Sequence, residues 1–124
     1  REKAMARAQS RQRGYDVAWD KAARRFKRDN PLCCGCLAMG IIEPAVIVDH
    51  IVPHRGDRER FWDYDNWQAV CEWHHNAVKH KLETMFERGE VTEADLRLDS
   101  AKALKVAGMT HGGVTIGMNG WPVG

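Results

Sequence analysis

The sequence predicts a small α+β fold: two short strands and a following helix, with a thiol-rich knuckle ahead of the first strand and further helices on either flank. Three observations predict it. Two β-prone runs, 45–48 and 67–70, stand on either side of a charged loop. Apolar residues recur at helical spacing after the second run. Cysteines cluster before the first run and recur directly after the second.

A chain of 124 residues is the size of one domain and buries only a modest fraction of its surface. With three Phe, two Tyr and five Trp among many charges, the core should be thin, and a metal staple would strengthen it. No run reaches the roughly 18 to 20 continuous apolar residues of a membrane span, and the first residues lack an apolar signal core. These features predict a soluble, intracellular protein, in which four cysteines stay reduced and suit a metal site better than disulfides.

The net charge of +2 hides an asymmetry, because residues 1–28 carry seven Arg and three Lys against Glu2, Asp16 and Asp20. Residues 1–13, with no aromatic or β-branched side chain, read as an exposed helix or as an arm that orders on a partner. From 15 to 28 the spacing of Trp19, Ala22, Ala23 and Phe26 predicts an amphipathic helix that Asn30-Pro31 stops. Its basic face presents Arg24, Arg25, Lys27 and Arg28, either as candidate phosphate contacts or as a solvated surface.

Residues 31–40 have turn chemistry and closely spaced thiols, which suits a metal knuckle. The run 45–48 then enters Asp49-His50, residues 54–65 form a charged loop, and 67–70 enters Cys71. A helix is expected over 72–88, with Val78, Leu82, Met85 and Phe86 on one stripe and Gly89 to end it. Thr92 and Asp95 resemble the cap of another helix reaching about Val106. The segment after Gly108, around Trp121, reads as a mobile tail or a docking segment. The chain thus divides into a basic arm and helix (1–30), a core (31–88) and a terminal helix with its tail (89–124).

Structural zinc takes four soft or borderline ligands, commonly as two pairs whose internal spacing turns both donors toward one ion. Cys33 and Cys36 form a C-x-x-C pair, and Cys71 and His74 a C-x-x-H pair, so these four are the expected zinc ligands. Cys34 is a spare thiol or a competitor for the place of Cys33.

Asp49-His50 closes an extended run, Asn66 follows after fifteen residues, and His75 after another eight. Together with Val-Asp-His-Ile-Val-Pro-His-Arg-Gly-Asp at 48–57, Phe-Trp-Asp at 61–63, Asn-Trp-Gln at 66–68 and Cys71 to His75, this pattern resembles the HNH endonucleases over residues 31–81. Within that family it is most similar to small phage and prophage HNH proteins, many of them associated with DNA packaging. The resemblance implies a ββα-metal (His-Me finger) core around one catalytic Mg²⁺, Mn²⁺ or other divalent ion. It implies that Asp49 and His75 hold that ion, that His50 is the general base, and that Asn66 braces the loop carrying the base. Where the family usually has C-x-x-C-H, this chain has His74 followed by His75, so the fourth zinc ligand becomes an imidazole.

The chemistry fits those roles. Phosphodiester hydrolysis needs an activated water and neutralised phosphoryl charge, which a neutral imidazole and a hard cation with open positions supply. Asp49 and His50 are strand neighbours and cannot point the same way in a regular strand, so the strand should end or bulge there. His54 and Arg55 either face the scissile phosphate or lie on a surface loop, and Lys79, one turn after His75, is a further candidate phosphate contact, whereas His80 and His111 read as exposed. Trp62, Trp67 and Trp73 read as core.

The expected function is a DNA endonuclease of low sequence preference, and the resemblance implies that it leaves 5′-phosphate and 3′-hydroxyl ends. Its expected partners are DNA and phage packaging (terminase or portal) proteins, without a membrane, in the cytoplasm of a bacterial host. The alternative is a non-catalytic zinc module that binds nucleic acid or a packaging protein, which would have no use for Asp49, His50 and His75 together.

Overall fold

The structure, a computed structural model, describes residues 16–110. The expectations for the arm at 1–13, for His111 and for Trp121 lie outside the described residues. The first helix, α1, spans Val17–Asp29. Asp16 caps it by accepting a hydrogen bond from the Trp19 amide at 3.1 Å, and the Asn30 amide closes it on the Phe26 carbonyl at 2.8 Å. Trp19 and Phe26 are buried, while Arg24, Arg25 and Arg28 stay exposed on the other face.

The knuckle contains a short helix, α2, at Cys34–Ala38, where only turn chemistry was expected. The Cys33 thiol caps it by accepting from the Cys36 amide at 3.4 Å, so a residue expected to bind metal also starts the helix. A bridge between Leu32 and Pro44 closes the knuckle at its base.

Strand β1, Ile47–His50, pairs antiparallel with β2, Trp67–Val70, with Asp49 opposite Gln68 and His50 opposite Trp67. The first strand begins two residues later than its sequence run and includes Asp49-His50. It ends at His50 without a bulge, so the two side chains leave opposite faces of the sheet. The loop between the strands is more ordered than its charge suggests. It contains α3, Arg58–Phe61, capped by Asp57, and a 3₁₀ turn, Tyr64–Asn66, capped by Asp63.

Both sheet faces are covered. Trp67 and Ala69 pack with Trp19, Phe26 and Phe61 on the α1 side. Val70 packs on the other side with Val78, Leu82, Leu96, Leu98, Ala103 and Val106, and the thiols of Cys33, Cys36 and Cys71 belong to this second core. The helix after β2 opens with a wide π segment, His74–Lys79, and continues as α4, His80–Glu87. Such wide turns are frequent at functional sites.

The helix expected from Thr92 to about Val106 is two elements. Thr92 and Asp95 form their capping box on a 3₁₀ turn, Glu93–Leu96, and α5, Ala101–Thr110, starts afresh after Ser100. The break has a cause in the sheet: the Leu98 amide donates to Gln68 Oε1 at 3.0 Å, which draws residues 97–100 out of helical geometry. No helix among the described residues is long and apolar enough to cross a membrane.

Candidate functional site

Cys33, Cys36, Cys71 and His74 are all buried, and their ligand atoms lie within 4.8 Å of one another. A tetrahedral zinc bound to thiolates and imidazole sets S···S edges of about 3.8 Å and S···N edges of about 3.6 Å. Here Cys36 Sγ and Cys71 Sγ are 3.7 Å apart, and His74 Nδ1 lies 3.5, 3.3 and 3.4 Å from the sulfurs of Cys33, Cys36 and Cys71. The cluster can therefore hold one metal ion such as zinc, and it would join the knuckle to the start of the helix after β2.

The thiols share protons unevenly. Hydrogen bonds from Cys36 and Cys71 push the Cys33 pKa far down, while its contact with Cys33 pushes that of Cys36 far up. Burial works against a charged His74, but Cys33 and Cys71 outweigh it and raise its pKa to about 9. Cys34 is outside the cluster, with its thiol donating to Gln68 Oε1 at 3.5 Å, and burial pushes it up to about 12. It is this placement that separates it from Cys33, whose sulfur lies with those of Cys36 and Cys71 and with His74 Nδ1.

One face of the strand end gathers a second group of polar side chains. Asp49 is buried, and its Oδ2 accepts from Gln68 Nε2 at 2.9 Å and meets Lys79 Nζ at 3.0 Å. Its Oδ1 lies 3.4 Å from His75 Nδ1. That nitrogen is buried and has no hydrogen-bond partner among the described residues, so its approach to Asp49 is an electrostatic contact without hydrogen-bond alignment. Neighbouring ligands of one divalent ion bonded at about 2.0–2.2 Å stand about 3.0–3.5 Å apart. The unpartnered nitrogen and the spare oxygen thus fit a shared cation. Burial alone would raise the Asp49 pKa, but His75, Lys79 and Gln68 together hold it below the usual carboxylate range. The Asp49 carboxylate in turn raises the pKa of His75, against its burial.

His50 occupies the opposite face. Its Nε2 lies 3.0 Å from the Phe61 carbonyl, an acceptor, so this nitrogen carries the proton and Nδ1 of the neutral ring is the basic one. The ring stacks on Trp19 at 5.0 Å with a 21° tilt, and lies 4.7 Å from Phe61 and 4.9 Å from His54. Burial in this aromatic setting lowers its pKa, and the Phe61 carbonyl only partly opposes the shift.

Asn66 braces the chain just past His50. Its Oδ1 accepts from the Val52 amide and its Nδ2 donates to the Val52 carbonyl, both at 2.9 Å, while its own carbonyl accepts from Ile51 N at 2.7 Å. The ties fall on the two residues after His50, not on His50 itself.

Lys79 corrects the sequence reading. Its side chain is 1% exposed and its ammonium is enclosed by protein acceptors, so it presents no free charge to a phosphate. Lys27 is engaged as well, donating to the Val46 carbonyl at 3.2 Å. Arg24, Arg25 and Arg28 remain exposed on α1, and Arg55 is exposed at a positive φ of 48°, 4.0 Å from Glu87. His80 is exposed, Trp67 is buried, and Trp62 and Trp73 are half-buried.

Sequence reasoning missed Trp19 as the platform under His50, and Gln68 and Glu83 as partners in the Asp49 network. A glutamine inside the β-prone run 67–70 was the available signal, since a strand with both faces covered buries every side chain. No protein-family model, curated protein or solved structure matches this chain.

Proposed function

We propose that this chain is a divalent-metal-dependent DNA endonuclease of the HNH type, nicking as a single molecule and cutting both strands when paired. The observation that carries the reading is the meeting of Asp49 Oδ1 with the unpartnered His75 Nδ1 at 3.4 Å, at the strand end that also bears His50. Asp49 and His75 would hold the ion, Mg²⁺ or Mn²⁺, which when bound supplies positive charge to the phosphoryl oxygens.

The chain's own groups do the rest. His50, with Nε2 committed to Phe61, has Nδ1 free of that bond to take the proton of the attacking water. The water oxygen bonds to phosphorus as the bond to the 3′ oxygen breaks, leaving a 5′-phosphate and a 3′-hydroxyl once solvent protonates the leaving oxygen. Asn66 keeps residues 51 and 52 from moving the base. Arg24, Arg25 and Arg28 lie on one exposed face and suit phosphates of any sequence, which favours low sequence preference. The Cys₃His cluster, loaded with zinc, would fix the start of the segment carrying His75.

Lys79 favours a second reading. An ammonium already compensates Asp49, so the carboxylate is electrically satisfied without a divalent ion. On that reading the chain is a zinc module that binds nucleic acid without cutting it. Supercoiled plasmid incubated with the zinc-loaded protein, with and without Mg²⁺ or Mn²⁺, separates the two. Metal-dependent nicking supports the nuclease, and binding without nicking supports the module.

A further inference from the structure

An ammonium is among the most expensive groups to bury, and one that survives inside a small protein has all its hydrogens engaged. Lys79 has three, and three acceptors surround it: Asp49 Oδ2 at 3.0 Å, the His50 carbonyl at 2.7 Å and Glu83 Oε2 at 2.7 Å. An apolar residue would fill this place in the π segment with no desolvation penalty, so packing does not explain the lysine.

The choice of acceptors does. Asp49 and His50 leave opposite faces of β1, and one ammonium touches both residues, the side chain of the first and the backbone of the second. With Gln68 it occupies Oδ2, which turns Oδ1 toward His75. Its bond to the His50 carbonyl holds one edge of the His50–Ile51 peptide group, the Asn66 carbonyl holds the Ile51 amide at the other edge, and the Asn66 side chain fixes Val52 just beyond.

We propose that Lys79 is a positioning residue that locks the Asp49 carboxylate and the His50 base into one fixed relation, with Glu83 holding the ammonium in place. Its catalytic consequence rests on the nuclease reading above; its structural consequence does not.

The test uses the zinc-loaded full chain. Two quantities are measured: plasmid nicking at saturating Mn²⁺, and the imidazole Nε2–H signal of His50 in ¹H–¹⁵N spectra, identified by its loss in His50→Gln. Lys79→Met is expected to lower kcat about 10- to 100-fold with KM for DNA little changed, as removal of a group that orients a ligand does. The His50 signal should shift or broaden. Because Lys79→Met leaves Asp49 buried beside an apolar group, Asp49→Asn/Lys79→Met, which removes both charges, is compared with Asp49→Asn alone. The same change in the His50 signal is expected there.

Wild-type kcat in a folded Lys79→Met overturns the proposal, as does an unmoved His50 signal in the double variant. If the wild-type protein nicks under no condition, the nuclease reading fails, and the His50 signal alone decides whether Lys79 positions this strand end.

Discussion

Gly35 and His74 touch so closely that a Cβ on the glycine would stand 2.3 Å from Cδ2 of the imidazole. The close approach lets the ring lie over the short helix of the knuckle and bring Nδ1 among three sulfurs. Gly35→Ala should therefore push the ring off the cluster, lowering zinc affinity and costing about 1–3 kcal/mol of stability. Zinc content and melting temperature check this; an alanine variant with normal values of both would show that the ring has room to move.

The thiols should separate into two classes. Cys36→Ser and Cys71→Ser are expected to release zinc and lower the melting temperature sharply, because structural zinc contributes directly to the folding free energy of small domains. Cys34→Ser should retain zinc, since Cys34 bonds to Gln68 outside the cluster. Zinc loss in Cys34→Ser with retention in Cys33→Ser would reverse the pairing.

Asn66→Ala removes both side-chain bonds to Val52. Each is a bond to a half-buried backbone group, so a combined loss of about 2–4 kcal/mol is expected, with a fall in kcat larger than any change in KM. Denaturant unfolding and nicking kinetics measure the two effects. Full stability in the variant would mean that water replaces the amide.

Reversing charge at Arg24 and Arg25 should weaken binding to all DNA sequences alike. The slope of log affinity against log salt should flatten by about one unit for each lost phosphate contact. Isotherms at several salt concentrations decide it, and an unchanged slope for the arginine variants would leave α1 as a solvated face.

What was legible in the sequence was local. The spacing of Cys33 with Cys36 and of Cys71 with His74 brings each pair together within one turn, so the grouping of three thiols and an imidazole followed from spacing once the two segments met. The second strand was legible because Trp67 to Val70 is β-prone on both faces. The burial of Lys79 was not, since a lysine on a helix reads as exposed until Asp49, the His50 carbonyl and Glu83 are known to surround it. The broken helix at 97–100 was hidden for a similar reason, its cause being a hydrogen bond to Gln68 thirty residues away. The helix at 58–61 had a signal in Asp57, whose carboxylate accepts from the amides of Glu59 and Arg60, but the surrounding charges masked it.

If His50 and the pair Asp49–His75 act together on a phosphodiester, nicking of supercoiled plasmid by the zinc-loaded protein and its variants must depend on both. His50→Gln is the variant of choice, because His50 lies between Trp19 and Phe61 and an alanine would open a cavity there. Nicking by the wild type is expected only when Mg²⁺ or Mn²⁺ is added, with a fall of about 10²- to 10⁴-fold in His50→Gln at retained zinc content and melting temperature. Cleavage by His50→Gln at the wild-type rate, or cleavage that needs no added divalent ion, would contradict that joint action.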